Sequence, residues 1–309
     1  MAGHAGPLVT TPPDLDARTN PVGRYLDTAT PEALFVLSAV AQYTGATIAA
    51  LLFDEAEPQA VAWVRVIGGA LGLLAVSRGA WRGWTRRQLV AAAIFGVATA
   101  GMNICFYMAL DRTDLGKSVT MEFIGPIAVA AAMTRTGRNG LALVLAAGGV
   151  VVLGGVEIGD NTVGVLWILA TSALWATYIV VGSKVAQIGR GVAGLGIGLA
   201  MGALVVAPIG APDSGPIFSS GRLLVLCLLV GVLSNAIGYG IDQHVLRRIP
   251  VRRFSVLLAL LPVTALIFGW VALDQKPSGL DLVGIAFVLA GVAMQERDEI
   301  PAGPMPEPS

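Results

Sequence analysis

An all-α integral membrane protein, ten transmembrane helices arranged as two inverted five-helix repeats, is the fold that this sequence predicts. Three observations point there. Hydrophobic residues make up 55% of the 309 and charged residues 13%, against about 25% charged in an ordinary soluble domain. Apolar runs of spanning length follow one another with gaps too short to hold a soluble domain. The chain also resembles itself when displaced by 136 residues.

The apolar runs predict helices over 32–53, 60–77, 89–110, 115–134, 140–156, 163–183, 191–211, 222–246, 254–273 and 279–295. Several are only just long enough to cross ~30 Å at 1.5 Å per residue. The 39 glycines and the scarcity of lysine suit closely packed helices in lipid. Residues 1–31 form a polar cytoplasmic tail with no apolar core behind a basic start, so no cleavable signal peptide is expected. The acidic, Pro-rich tail 296–309 is expected to be disordered. Lys+Arg and Asp+Glu balance at 20 each, so no net charge points to nucleic acid. Cys105 and Cys227 both sit in apolar runs, which argues against a disulfide framework or a zinc site.

Basic residues give the orientation. With the N-terminus inside, 15 of the 20 lie in inner segments, including Arg78, Arg82, Arg86, Arg87, Arg247, Arg248, Arg252 and Arg253. Only Arg112, Lys117, Arg222 and Lys276 fall outside, and Arg65 lies within a helix. Both termini are therefore expected in the cytoplasm.

The displacement brings MEFIGPIAVA around Pro126 onto LLALLPVTAL around Pro262, and Gly148 and Gly155 onto Gly284 and Gly291. This divides the chain into repeats at 32–156 and 163–295. Each has an odd number of helices, so the second is inverted. Inverted repeats with Pro-interrupted helices at corresponding positions point to the central site of a secondary transporter.

Ionisable groups inside a span cost several kcal/mol unless paired or hydrated, and each is a candidate functional group. Glu122 is the clearest, four residues before Pro126, which kinks its helix and frees carbonyls. Arg65 and Asn103 fall at similar depths, roughly 8–10 Å from the outer surface. The three form a polar layer suited to the two charged ends of a zwitterion. Two plainer readings stand beside it: a structural Glu122–Arg65 ion pair, and an interhelical hydrogen bond from Asn103. Asp242 and Tyr239 are secondary candidates; Asp242 has Arg247 or Arg248 as an alternative partner, and His244 an interfacial role. Tyr43, Tyr107, Trp175 and Tyr178 are lining candidates, Tyr43 and Trp175 being too central for interface anchors. The glycines at 194, 198 and 202 need only helix packing as explanation.

Two apparent motifs fail. Gly116-Lys117-Ser118 resembles the end of a phosphate loop, but Asp111 takes the first glycine's place and no strand precedes it. Gly194, Gly196 and Gly198 lie inside an apolar span and form no dinucleotide fingerprint. Without an ATP loop, transport must be secondary. An intramembrane enzyme would need acids or histidines clustered at one interface, a passive channel a ring of like charge; the sequence suggests neither. A non-transporting structural or regulatory membrane protein is the remaining rival.

These residues carry a resemblance. Gly101-Met102-Asn103 with Phe106-Tyr107, the stretch Met121-Glu122-Phe123-Ile124-Gly125-Pro126, Ala173 to Ile179, Tyr239, Asp242, Arg248-Ile249-Pro250 and Arg65 resemble the drug/metabolite transporter superfamily. Within it the chain looks like the EamA-type carriers, and most like the RhtA-type threonine/homoserine exporters. The resemblance covers 32–295 and implies a multi-pass protein of the cell inner membrane, a monomer or homodimer. It implies efflux of amino acids or related metabolites by alternating access coupled to proton entry, with no cofactor. Leu260-Leu261-Pro262 stands where such carriers often have Met-Glu-Pro, and Asp274-Gln275 where they have Gly-Glu. Either Glu122 then couples alone or transport is not proton-coupled, and export of another class of metabolite or drug is open. In the expected mechanism substrate amine and proton compete for Glu122, Arg65 holds the substrate carboxylate, Asn103 orients it, and the helices of Pro126 and Pro262 gate.

Overall fold

The structure is a computed structural model that describes residues 28–77, 84–134, 136–157, 161–186, 191–246 and 260–294. No strand occurs among them. Helices α1 (Pro31–Leu51), α2 (Pro58–Val76) and α3 (Arg86–Leu110) come first. Two begin on proline, whose fixed φ and missing N–H cost nothing in a first turn. The third begins on a capping box between Thr85 and Gln88.

The run 115–134 is not one helix. It divides into α4 (Leu115–Glu122) and α5 (Ile124–Thr134), with Phe123 between them. The break lies one turn before Pro126 rather than at it. Proline's ring crowds the carbonyl of the residue four earlier, and that residue is Glu122. Helix α6 (Gly137–Glu157), α7 (Thr162–Ala186) and α8 (Gly191–Gly210) follow.

Next, a short helix that the apolar pattern does not predict, α9 (Gly215–Ser219), precedes a composite rod. The rod is α10 (Gly221–Gly231), a π-helical turn π1 (Val232–Gly238) and α11 (Tyr239–Leu246). The last elements are α12 (Leu260–Leu273) and α13 (Gly279–Met294). Pro262 falls in the first turn of α12, and residues 254–259, predicted as the start of the same helix, lie outside the described residues. So do the tails and the basic residues Arg78, Arg82, Arg247, Arg248, Arg252 and Arg253.

Six helical stretches are long and apolar enough to cross a membrane: Pro31–Leu51, Pro58–Val76, Arg86–Leu110, Thr162–Val180, Val192–Gly210 and Gly221–Asp242. Gly137–Leu153, Leu261–Leu273 and Gly279–Met294 are apolar but shorter. Large aliphatic side chains point outward, with Leu204 76% and Val271 78% exposed. Such a surface suits lipid, not water.

Small residues bring the rods together. A Cβ on Gly96 of α3 would collide with the carbonyl of Gly198 on α8, and one on Gly149 of α6 would lie 2.6 Å from the carbonyl of Gly284 on α13. Backbones this close gain dispersion that lipid tails cannot match. A Cβ on Gly68 of α2 would lie 2.5 Å from the carbonyl of Leu228 on α10.

Candidate functional site

Helices α2, α3 and α4 and the π1–α11 rod converge on one polar group. Arg65 of α2 is 5% exposed and Asn103 of α3 is 2% exposed. The Arg65 guanidinium lies over the ring of Tyr107, 4.8 Å from its centroid. Tyr107, one turn beyond Asn103, is fully buried, with Phe53 5.7 Å away edge-on. A cation on an aromatic face is held by the ring quadrupole, worth ~0.5–2 kcal/mol. Among the described residues Arg65 makes no direct ion pair with Glu122, so the simple buried pair is not what the fold builds. Glu122 is nonetheless within Coulombic range of the guanidinium.

Glu122 ends α4 and keeps part of its surface accessible. The next residue, Phe123, meets Trp175 of α7 edge-on at 5.0 Å. Tyr43 of α1 is buried, 6.5 Å from Phe268 of α12, within electrostatic range of Glu122, Asp242 and Tyr239. Tyr239, half-buried at the start of α11, lies beside Asn103 and within range of Arg65 and Glu122. Tyr178, by contrast, stacks on Phe95 at 4.6 Å as ordinary helix packing. The structure thus brings together Arg65, Asn103, Tyr107, Glu122, Tyr43 and Tyr239, with Trp175 at the edge.

Several polar atoms in this group have no hydrogen-bond partner among the described residues: Arg65 Nε, Asn103 Oδ1 and the Tyr107 hydroxyl. Asn103 Nδ2 donates 2.7 Å to the Thr99 carbonyl of its own helix. Asn235 in π1 is fully buried with both amide atoms unpartnered, and its Cβ lies 2.5 Å from where a Cβ on Gly69 would be, one turn along α2 from Arg65. A buried polar atom without a partner costs about 1–3 kcal/mol. A π-turn inside an α-helix frequently marks a functional position.

Asp242 of α11 meets α1. Its carboxylate accepts from Ser38 Oγ at 2.6 Å and Gln42 Nε2 at 3.1 Å, both on α1. Its predicted alternatives, Arg247 and Arg248, lie outside the described residues. Ser38, Gln42 and Asn235 were not singled out in the sequence. Ser38 and Gln42 are four residues apart on one helical face, which is the signal they offered.

A second polar cluster ties α4 to the α12–α13 connection. Lys117 Nζ lies 3.1 Å from Asp114 and 3.5 Å from the buried Asp281, while the Leu115 N–H donates to Gln275 Oε1 at 2.9 Å. At the same end Arg222 clasps Glu55 at 2.8–2.9 Å and Gln59 donates to Asp213 at 2.7 Å. No group of three or more metal-ligating side chains occurs among the described residues.

Comparison with known proteins gives the family. The EamA-like transporter family pattern matches residues 162–295. The threonine/homoserine exporter RhtA of Salmonella typhimurium is 30% identical over 253 residues, 80% of this chain and 84% of that protein. Its Escherichia coli K12 counterpart is 31% identical over 252 residues, with the same coverage. A solved crystal structure of a protein 20% identical has the same fold, with a TM-score of 0.59 over 86% of this chain and 96% of that one. Sustained identity of this extent makes the chain a multi-pass member of the EamA-like transporter family.

Proposed function

We propose that this protein exports amino acids or closely related metabolites across the inner membrane, by alternating access driven by proton entry. The carrying observation is the group of buried Arg65, Asn103 and Tyr107 with the partly buried Glu122 and Tyr239, which joins one cation, one carboxylate and unpartnered polar atoms in an apolar bundle. Such a group is costly in lipid unless something binds there. A zwitterion matches it: the amine to Glu122, the carboxylate to Arg65, with Asn103 as donor and acceptor. The exporter relatives act on threonine and homoserine, whose chemistry fits the same pair.

The two-repeat reading, 32–156 and 163–295 in ten spans, has support in the helix contacts. Exchanging the halves turns the α3–α7 contact into that of the composite rod with α1, and α3–α8 into the rod with α2. It also turns α5–α7 into α12–α1 and leaves α2–α8, α4–α12 and α6–α13 unchanged. That is the behaviour of two repeats related by a pseudo-two-fold axis. In this reading the helices broken near Pro126 and Pro262 gate, and amine and proton compete for Glu122.

The test is counterflow in vesicles. Protein reconstituted into liposomes loaded with labelled threonine should export it faster when an inward proton gradient is imposed. Glu122→Gln should abolish that acceleration, and a variant retaining the full pH response would remove Glu122 from coupling.

A further inference from the structure

The contact between α1 and α11 holds more acceptors than protons. Ser38 Oγ is 2.9 Å from the Gly238 carbonyl and 2.6 Å from Asp242 Oδ1, yet a hydroxyl has one hydrogen to donate. Gln42 Nε2 spends its donors on Ser38 Oγ at 3.0 Å and on Asp242 Oδ2 at 3.1 Å. With Asp242 ionised, Ser38 must donate to the carboxylate, and the Gly238 carbonyl is left without the serine proton. With Asp242 protonated, its O–H donates to Ser38 Oγ, Ser38 donates to Gly238, and every one of these contacts is satisfied. The separation of 2.6 Å is that of a hydrogen-bonded O–H···O pair.

We propose that Asp242, Ser38 and Gln42 form a proton-binding site distinct from Glu122, in which protonation hands the Ser38 hydrogen from the carboxylate to the Gly238 carbonyl. The site clamps α1 to the last residue of the π-turn. Proton release withdraws the Ser38 donor from that residue, so occupancy of the site and the shape of the π-turn are linked. Tyr43 of α1 and Tyr239 of α11 face Asp242 electrostatically, and both also face Glu122. Glu32 lies six residues before Ser38 on α1, His244 lies two beyond Asp242, and α8, also packed against α11, carries no titratable side chain.

This site does not require that the protein carry an amino acid, and its test reads protonation, not transport. Infrared difference spectra of the purified full chain, taken through a pH titration in potassium and again in sodium, report protonated carboxyl groups. A carboxyl band that titrates equally in both salts is expected, absent in Asp242→Asn and retained in Glu122→Gln. Ser38→Ala and Gln42→Leu, which keep the carboxyl, should displace the band's frequency and move its midpoint by about tenfold in proton concentration. A band untouched by Asp242→Asn, Ser38→Ala or Gln42→Leu overturns the proposal. So does a titration that follows sodium in place of pH, which would make this a cation site.

Discussion

Arg65 illustrates how one side chain is specified at two levels. Its charge in an apolar run is conspicuous in the sequence, because few buried arginines exist without a reason. Its partner is not. The fold places the guanidinium over the ring of Tyr107, leaving Nε unpartnered and the positive charge in range of Glu122. A planar, delocalised cation can stack and still present a forked edge, which an ammonium cannot. Arg65→Lys should therefore fold, with a thermal midpoint close to the parent, yet lose at least about tenfold in threonine export, a loss of about 1.4 kcal/mol. Equal transport by the lysine variant, measured in the same vesicles, would assign Arg65 to packing. Glu122 was legible for the same reason as Arg65, and Asn103 because its depth in the span matches theirs. Asn235, Ser38 and Gln42 were not, since uncharged polar residues are common in membrane helices and draw no attention until their partners are known.

At the scale of the element, the helices break where the polar group gathers. Proline 126 explains the division of α4 from α5, with the break falling on the carbonyl it displaces. The π-turn in the composite rod has no such signature in sequence: VLSNAIG contains nothing that forbids an α-helix. It inserts where the rod packs against both α1 and α2, with Ser234 against Gly45 and Asn235 against Gly69. Predicting helix 222–246 as continuous was right in extent and blind to this local widening. Glycine contacts set the distances between rods. Gly96→Val places a branched side chain against the Gly198 backbone, which has no rotamer with which to yield. It should destabilise the protein by about 1–3 kcal/mol. That loss would read as a lowered thermal midpoint in detergent, whereas Gly215→Ala, with open space around its Cβ, should leave the midpoint unchanged.

Across the whole molecule, the two ends differ in chemistry. One end carries the acid-rich connections, tied across the bundle by Glu55–Arg222, Gln59–Asp213 and Lys117–Asp281. Arg86 and Arg87 open α3 and Arg138 opens α6 at the other, the end expected to be the inner face under the positive-inside rule. In a variant with Cys105 and Cys227 replaced by serine, a cysteine at the exposed Ser219 should react with an impermeant thiol reagent added outside intact cells. A cysteine at Arg86, also exposed, should react only after the membrane is opened. The reverse pattern would invert the proposed orientation and place the termini outside.

Hydrophobicity is a property each segment carries alone, so the sequence by itself determined that this is a helical membrane protein, where its helices run and which charge is buried in them. The same holds for family membership, which rests on identity along the chain. What meets what was decided only in three dimensions. Arg65 and Tyr107, or Ser38 and Asp242, are far apart along the chain, and only the packing of their helices brings them into contact. A polar residue in a span announces its cost locally, but its compensation comes from another helix, and only packing chooses that helix.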